Sequence, residues 1–152
     1  MSRTGRDDRP DTSSLEIRRL LPAPIDEVFR WWTEPTLMRE WMTPVGSCEI
    51  DNDLRIGGRL HVVMRGDGMV IEHDGEYLEL DPPRRLVFTW SSIYTGPGIS
   101  IVTVELEADG PGATRLRLLH TNLSDEAARS HRGGWQGMFD RLVGRLTNVR
   151  AG

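Results

Sequence analysis

Few residues in this chain can do acid–base work or anchor a polar ligand atom. They are His61, His73, His120 and His131, the carboxylates Glu72 and Glu76, Arg19 and the single cysteine Cys48. His120 shares strand parity with Leu116 and Leu118, so it points to the apolar face. There an imidazole is either hydrogen-bonded core or meets a ligand. Glu72 and Glu76 share the parity of Leu78 and Leu80, which also points them inward. An inward carboxylate needs a partner, and Arg19 and His61 are the two on offer. Gly75 lies between the two glutamates and can form a bulge; if it does, the parity flips and His73 turns inward instead. An inward carboxylate with a basic partner is the one arrangement here suited to a polar anchor or a general acid–base role.

Other chemistries find no foothold. The four histidines and Cys48 show no ligand-like spacing, so no metal is expected. The sequence has no Gly-x-Ser-x-Gly, no phosphate-cradling glycine loop and no paired-carboxylate motif. No catalytic residue and no cofactor is assigned. A net charge of -4 and scattered arginines argue against a nucleic-acid footprint. No stretch approaches the ~18 apolar residues of a membrane span, so no membrane insertion is expected. Residues 1–13 lack the apolar run of a secretory leader and read as a disordered polar tail. One cysteine allows no intrachain disulfide. These two absences point to the cytoplasm. The compositional oddity is five tryptophans in 152 residues. Large aromatics fill a core or wall an apolar pocket.

The elements that position these residues follow from periodicity. Leu15 to Leu21 alternates as a strand, with Arg19 interrupting its apolar face. Ala23-Pro24 opens a helix in which Ile25, Val28, Phe29 and Trp32 recur at helical spacing. A second short helix carries Leu37 and Trp41 and ends at Thr43-Pro44. Strands are expected at Cys48–Asp51, Arg59–Arg65, Met69–Leu80, Arg84–Ser91, Ile99–Ala108 and Thr114–Thr121. The Gly57-Gly58 and Pro82-Pro83 pairs and Asp109-Gly110-Pro111-Gly112 are read as turns. Ser124 caps a last helix, Gly133-Gly134 marks a break in it, and Trp135, Met138, Phe139, Leu142, Leu146 and Val149 form its apolar stripe.

The order is strand, two short helices, about six strands, one long helix. Short connections favour antiparallel pairing. One amphipathic helix against one apolar sheet face gives an α+β domain over residues 14–150. A curved antiparallel sheet of six to seven strands wraps around the C-terminal helix. One helix cannot cover so wide a sheet, which leaves a cavity closed in part by the two short helices.

Four segments carry a family resemblance. They are Pro24-Ile25-Asp26-Glu27-Val28-Phe29 with Trp32-Thr33-Glu34-Pro35 and Trp41; Asp53-Leu54-Arg55-Ile56-Gly57-Gly58; Gly75 through Trp90; and Gly112-Ala113-Thr114-Arg115-Leu116 with Gly134-Trp135. In this order they resemble the helix-grip (START-like) superfamily of lipid-transfer, plant-allergen and polyketide-cyclase domains. Within it the chain is most similar to homologues of the activator of the heat-shock-protein-ninety ATPase. The resemblance implies a hydrophobic cavity between sheet and helix and supplies no catalytic set.

The cavity-wall candidates are Trp31, Met64, Glu76, Phe88, Trp90, Val104, Leu118, His120, Trp135 and Phe139. Tyr94 to Gly98 is read first as a connecting loop between two strands, with a lid over one cavity mouth as its second reading. The expected partner is a small hydrophobic molecule, lipid-like or aromatic, and an exposed edge strand would allow a homodimer. Two other functions stand beside binding. One is a polyketide cyclase-like enzyme, which needs inward polar groups such as His120, Glu76 or Arg19. The other is a chaperone-associated interaction domain.

Overall fold

A computed structural model describes residues 13–43, 46–96 and 98–151. The chain runs β1 (Ser13–Leu21), α1 (Ile25–Trp31), α2 (Pro35–Met38), β2 (Ser47–Asn52), β3 (Arg59–Gly66), β4 (Met69–Asp81), β5 (Arg85–Trp90), β6 (Ser100–Ala108), β7 (Thr114–Leu123) and α3 (Asp125–Ala151). All strands join one antiparallel sheet of seven, ordered β1-β7-β6-β5-β4-β3-β2. Strands β2 to β7 meander, and β1 closes the far side by pairing with β7. The expected tail lies outside the described residues except for Ser13, which belongs to β1.

Alternation builds each strand. Leu15 and Ile17 are buried on β1, and Val102, Val104 and Leu106 on β6. On the outer face an ion-pair ladder crosses five strands. Arg85 on β5 holds Glu79 at 3.0 Å and pairs with Glu105 on β6. Arg117 on β7 then bridges Glu105 at 3.0 Å and Glu16 of β1 at 2.8 Å. An open depression of about 630 Å³ lies over part of this ladder, lined by charges that are mostly paired with one another.

The two short helices pin one end of the core. Pro24 sits at the N-cap of α1 rather than at its first helical position, and Asp26 and Glu27 favour the first turn. Trp32 meets Trp41 edge-to-face at 4.7 Å, and the Trp41 indole donates to the Trp31 carbonyl at 2.9 Å. Phe139 of α3 packs against both Trp32 and Trp41 at about 6 Å.

Helix α3 is 27 residues and unbroken. The Ser124 hydroxyl accepts from the Ala127 N–H at 3.1 Å, as a helix cap should. Gly133 and Gly134 do not break the helix. Two glycines cost roughly 1 kcal/mol each relative to alanine, while Ala127 before them and Trp135, Met138, Phe139, Leu142 and Leu146 after them are buried against the sheet. Val149 falls off the stripe and is 52% exposed near the helix end.

The parity of β4 differs from the expectation. His73, Gly75 and Tyr77 face inward, while Glu72 and Glu76 are exposed. A bulge does flip the strand, but it lies between Tyr77 and Glu79, not at Gly75. The bulge turns Leu78 outward and returns Leu80 to the core side. Gly75 has another role. The neighbouring backbone comes so close that a Cβ there would lie 2.1 Å from the Thr89 carbonyl oxygen.

Candidate functional site

A pocket of about 140 Å³ remains where the sheet and α3 part company. The sheet supplies Met64 from β3, Ile71 and His73 from β4, and Trp90 from β5. The helix supplies Ser130, His131, Gly134, Trp135 and Met138, which recur at the three- and four-residue spacing of one face. Tyr94, from the β5–β6 loop, completes the wall. That loop and the start of α3 enclose a second depression of about 280 Å³, which shares Tyr94 and Ser130 with the pocket. No residue of α1 or α2 lines the pocket; the Tyr94 loop stands where the short helices were expected.

Three imidazoles gather around the tryptophan walls. His73 stacks on Trp90, with centroids 4.4 Å apart and planes 24° from parallel. His120 stands edge-on to His131 at 5.1 Å. Burial is the main cause holding all three below the ordinary histidine range. His73 is pushed down to about 4, with His131 adding to the shift and the Val62 backbone opposing it. His120 is pushed down to about 3, again with His131 and then His73 adding to it. His131 moves in the same direction, opposed by its bond to the Ala127 backbone. At neutral pH the pocket carries no charged imidazole.

Hydrogen bonds fix two of the tautomers. The Trp135 indole can only donate, and its Nε1–H reaches Nδ1 of His120 at 3.1 Å. The His120 proton therefore sits on Nε2, which donates to the Ser100 hydroxyl at 2.9 Å. Ser100 in turn donates to the Trp90 carbonyl. One chain of bonds thus ties Trp135 on the helix to Trp90 on the sheet. His131 donates from Nδ1 to the Ala127 carbonyl at 2.9 Å, leaving Nε2 as the ring's acceptor. His73 differs: it is 6% exposed, and its Nδ1 has no hydrogen-bond partner among the described residues.

The expected cavity residues divide into three groups. Met64, Trp90 and Trp135 line the pocket. Trp31, Phe88, Val104, Leu118 and Phe139 are buried in the core away from its wall, and His120 lies behind Trp135. Glu76 is a correction: it is exposed on the outer face, because the bulge sits beyond Tyr77 and leaves the glutamate on the solvent side. The partners proposed for an inward carboxylate are engaged elsewhere. His61 pairs with Glu72 at 3.2 Å on the outer face, and Arg19 pairs with Asp140 and reaches Gln136 Oε1 at 3.3 Å. Sequence reasoning missed Ile71, Ser130, His131, Gly134 and Met138 as wall residues. The signal for the helix group was present, since His131 and Met138 share the Trp135 face at i, i+4 and i+7.

One outer-face cluster can be read differently from its sequence spacing. Ligand atoms of His61, Glu72 and Asp74 lie within 4.8 Å of one another. Arg59 holds Asp74 at 2.7 Å, and the glutamate and aspartate are solvent-exposed, so the cluster is an ion-paired surface patch.

A seven-stranded antiparallel sheet gripping one long C-terminal helix, with a small apolar pocket left between them, defines a helix-grip domain of the START-like class. The chain belongs to the family of activator of Hsp90 ATPase homolog 1-like proteins, whose model matches residues 22–147. Among solved structures it is similar to protein CV1439 from Chromobacterium violaceum, at 27% identity over 88% of this chain and 96% of that one, with a TM-score of 0.79. It is similar to protein NE0264 from Nitrosomonas europaea at 25% identity, covering 91% and 97% of the two chains, with a TM-score of 0.76. CalU16 from Micromonospora echinospora is 30% identical over 89% of this chain and 76% of that one, with a TM-score of 0.69. No curated protein matches the chain. Among the described residues no helix is long and apolar enough to cross a membrane.

Proposed function

We propose that this domain holds one small hydrophobic molecule, lipid-like or aromatic, in the pocket between β3–β5 and α3, and performs no chemistry on it. The observation that carries this reading is the wall itself. Trp90 and Trp135 face the pocket with Met64, Ile71 and Met138, and no Asp, Glu, Lys or Arg is among its lining residues. Aromatic rings and flexible thioethers favour a flat apolar guest that the pocket can adapt to. Membership of a family built on a helix-grip sheet supports a binding role in general.

The three groups that the sequence offered an enzyme reading are spoken for. Glu76 is outside, Arg19 is paired with Asp140, and both nitrogens of His120 are bonded within the core. General acid–base catalysis asks for a group within reach of substrate and with a pKa near the working pH. His120 meets neither condition.

The test is native mass spectrometry of protein purified from its own host, followed by denaturing extraction. A near-stoichiometric lipid or aromatic compound is the expected result. Repeated recovery of empty protein, together with no displaceable hydrophobic dye, would refute the reading.

A further inference from the structure

The outer depression narrows the ligand class, given that the pocket is a binding site as proposed above. The inner pocket of about 140 Å³ and the depression of about 280 Å³ share Tyr94 and Ser130 in their walls. The inner space alone is smaller than the roughly 300–1,000 Å³ of most small-molecule sites, and the two together enter that range. The backbone that carries Tyr94 is tied down. Thr95 is buried; its hydroxyl donates to the Ser92 carbonyl at 3.0 Å and accepts from the Ser92 N–H at 3.2 Å. The Tyr94 N–H donates to the Ser92 hydroxyl at 3.0 Å. The Tyr94 side chain itself is exposed, and such a side chain changes rotamer in nanoseconds or less with no movement of the loop. Its ring can therefore turn aside and join the two spaces.

We infer that the two spaces are halves of one site and that its ligand is an amphipathic cation. An apolar ring lies in the inner half beside Trp90, Trp135 and Met138, and a short tether runs past Tyr94 to an ammonium group in the outer half beside Glu126. The inner half selects the apolar end. About 140 Å³ is the size of a cavity that accepts one benzene-sized ring, and no Asp, Glu, Lys or Arg lines it. The outer half selects the charge. Glu126 is its one charged lining residue, and among the described residues it has no ion-pair partner. Asp125 and Arg129, its neighbours on α3, line neither space. The N-terminal end of α3 carries roughly half a positive charge, less than the full negative charge of Glu126. An ammonium there gains an opposite charge, and the Ser130 hydroxyl oxygen can accept from it. A carboxylate in the same place meets a like charge.

The test compares toluene, phenylbutylamine and phenylbutyrate on the full chain at pH 7 and low salt, where the amine is charged as lysine is. Affinity is read by tryptophan fluorescence, and position by NMR shifts of the methyl groups of Ile71 in the inner half and of Ile93 and Ala127 in the outer half. Toluene should shift Ile71 alone, and the amine all three. The amine should bind about tenfold tighter than toluene, because its tether covers further apolar surface. It should bind about fivefold tighter than the acid, the size expected of an exposed charge pair against its like-charge counterpart. Glu126 is exposed, so its variants keep the fold. Glu126→Gln should bring amine and acid within about twofold, and Glu126→Lys should reverse their order, with toluene unchanged in both. An acid that binds the unsubstituted protein as tightly as the amine overturns this inference and leaves the wider binding reading standing. So does an amine that shifts Ile71 but neither Ile93 nor Ala127. Failure of the amine to bind also overturns it; if toluene fails as well, the extraction experiment decides the wider reading separately.

Discussion

Trp135 on α3 and His120 on β7 meet through a 3.1 Å hydrogen bond that joins the gripping helix to the sheet. Both are fully buried, at 1% and 0% exposure. The bond fixes the imidazole as the Nε2–H tautomer, so the chain runs one way: indole to imidazole to Ser100 to the Trp90 carbonyl. Replacing His120 with Phe leaves the Trp135 N–H and the Ser100 hydroxyl without this partner. A buried donor left alone costs about 1–3 kcal/mol. The expected loss on urea unfolding is therefore at least that much. Trp135→Phe removes the donor itself, and a double-mutant cycle with His120→Phe should return a coupling of about 0.5–3 kcal/mol. A coupling indistinguishable from zero would mean that His120 is only filler.

The buried histidines set a pH window. Folded His73 titrates at about 4 and His120 at about 3, against an ordinary value of 6.5. Both shifts are downward, so below pH 6.5 the unfolded chain binds more protons than the folded one. Stability is then full above about pH 6.5 and falls as the pH drops, levelling only below the folded-state values. Each histidine contributes a slope of up to about 1.4 kcal/mol per pH unit in that window. Urea midpoints measured from pH 7 to pH 4 should show the decline, and His73→Phe should make it shallower by roughly 1 kcal/mol per unit. A variant with an unchanged slope would show that His73 is hydrated in the folded protein.

The parity of β4 can be tested at two adjacent residues. Glu76 is on the solvent side and Gly75 faces inward against β5. Glu76→Gln should shift stability by less than about 0.5 kcal/mol, as surface changes do. Gly75→Ala places a methyl 2.1 Å from the Thr89 carbonyl and should cost more than about 2 kcal/mol, because backbone must move. Thermal melts of the two variants separate this register from the opposite one, in which Glu76→Gln would be the costly change.

The elements and their order were legible because each rests on a local signal. Alternation gave the strands, the Ser124 cap gave the start of α3, and the Trp135-to-Leu146 stripe gave the face that α3 buries. The pocket was less legible, for two physical reasons. A bulge changes strand parity by one, and nothing in Glu76-Tyr77-Leu78-Glu79 says which residue is the extra one. The identity of wall residues also depends on where core packing stops. Phe88, Val104 and Leu118 have the same parity and character as Trp90, yet they are covered by the helix and the aromatic cluster, whereas Trp90 lies where that cover ends. Such a boundary is tertiary, and periodicity does not record it.

Gly133 and Gly134, adjacent in α3, allow pocket occupancy to be separated from stability. Gly134 lines the pocket and Gly133 is exposed, and a Cβ at either position meets nothing within 4 Å. Gly→Ala within a helix stabilises by up to about 1 kcal/mol. Gly133→Ala and Gly134→Ala should therefore both raise Tm by a few degrees, by similar amounts. Larger side chains should part company. Gly134→Leu places an isobutyl group in a space of about 140 Å³, enough to fill most of it. It should abolish binding of a hydrophobic probe while keeping Tm at or above that of the unsubstituted protein. Gly133→Leu should keep both the stability and the probe. Calorimetry gives the first quantity and fluorescence titration the second. If Gly134→Leu still bound the probe at full affinity, the pocket beside Trp135 would not be the binding site, and the depression under the Tyr94 loop would take its place.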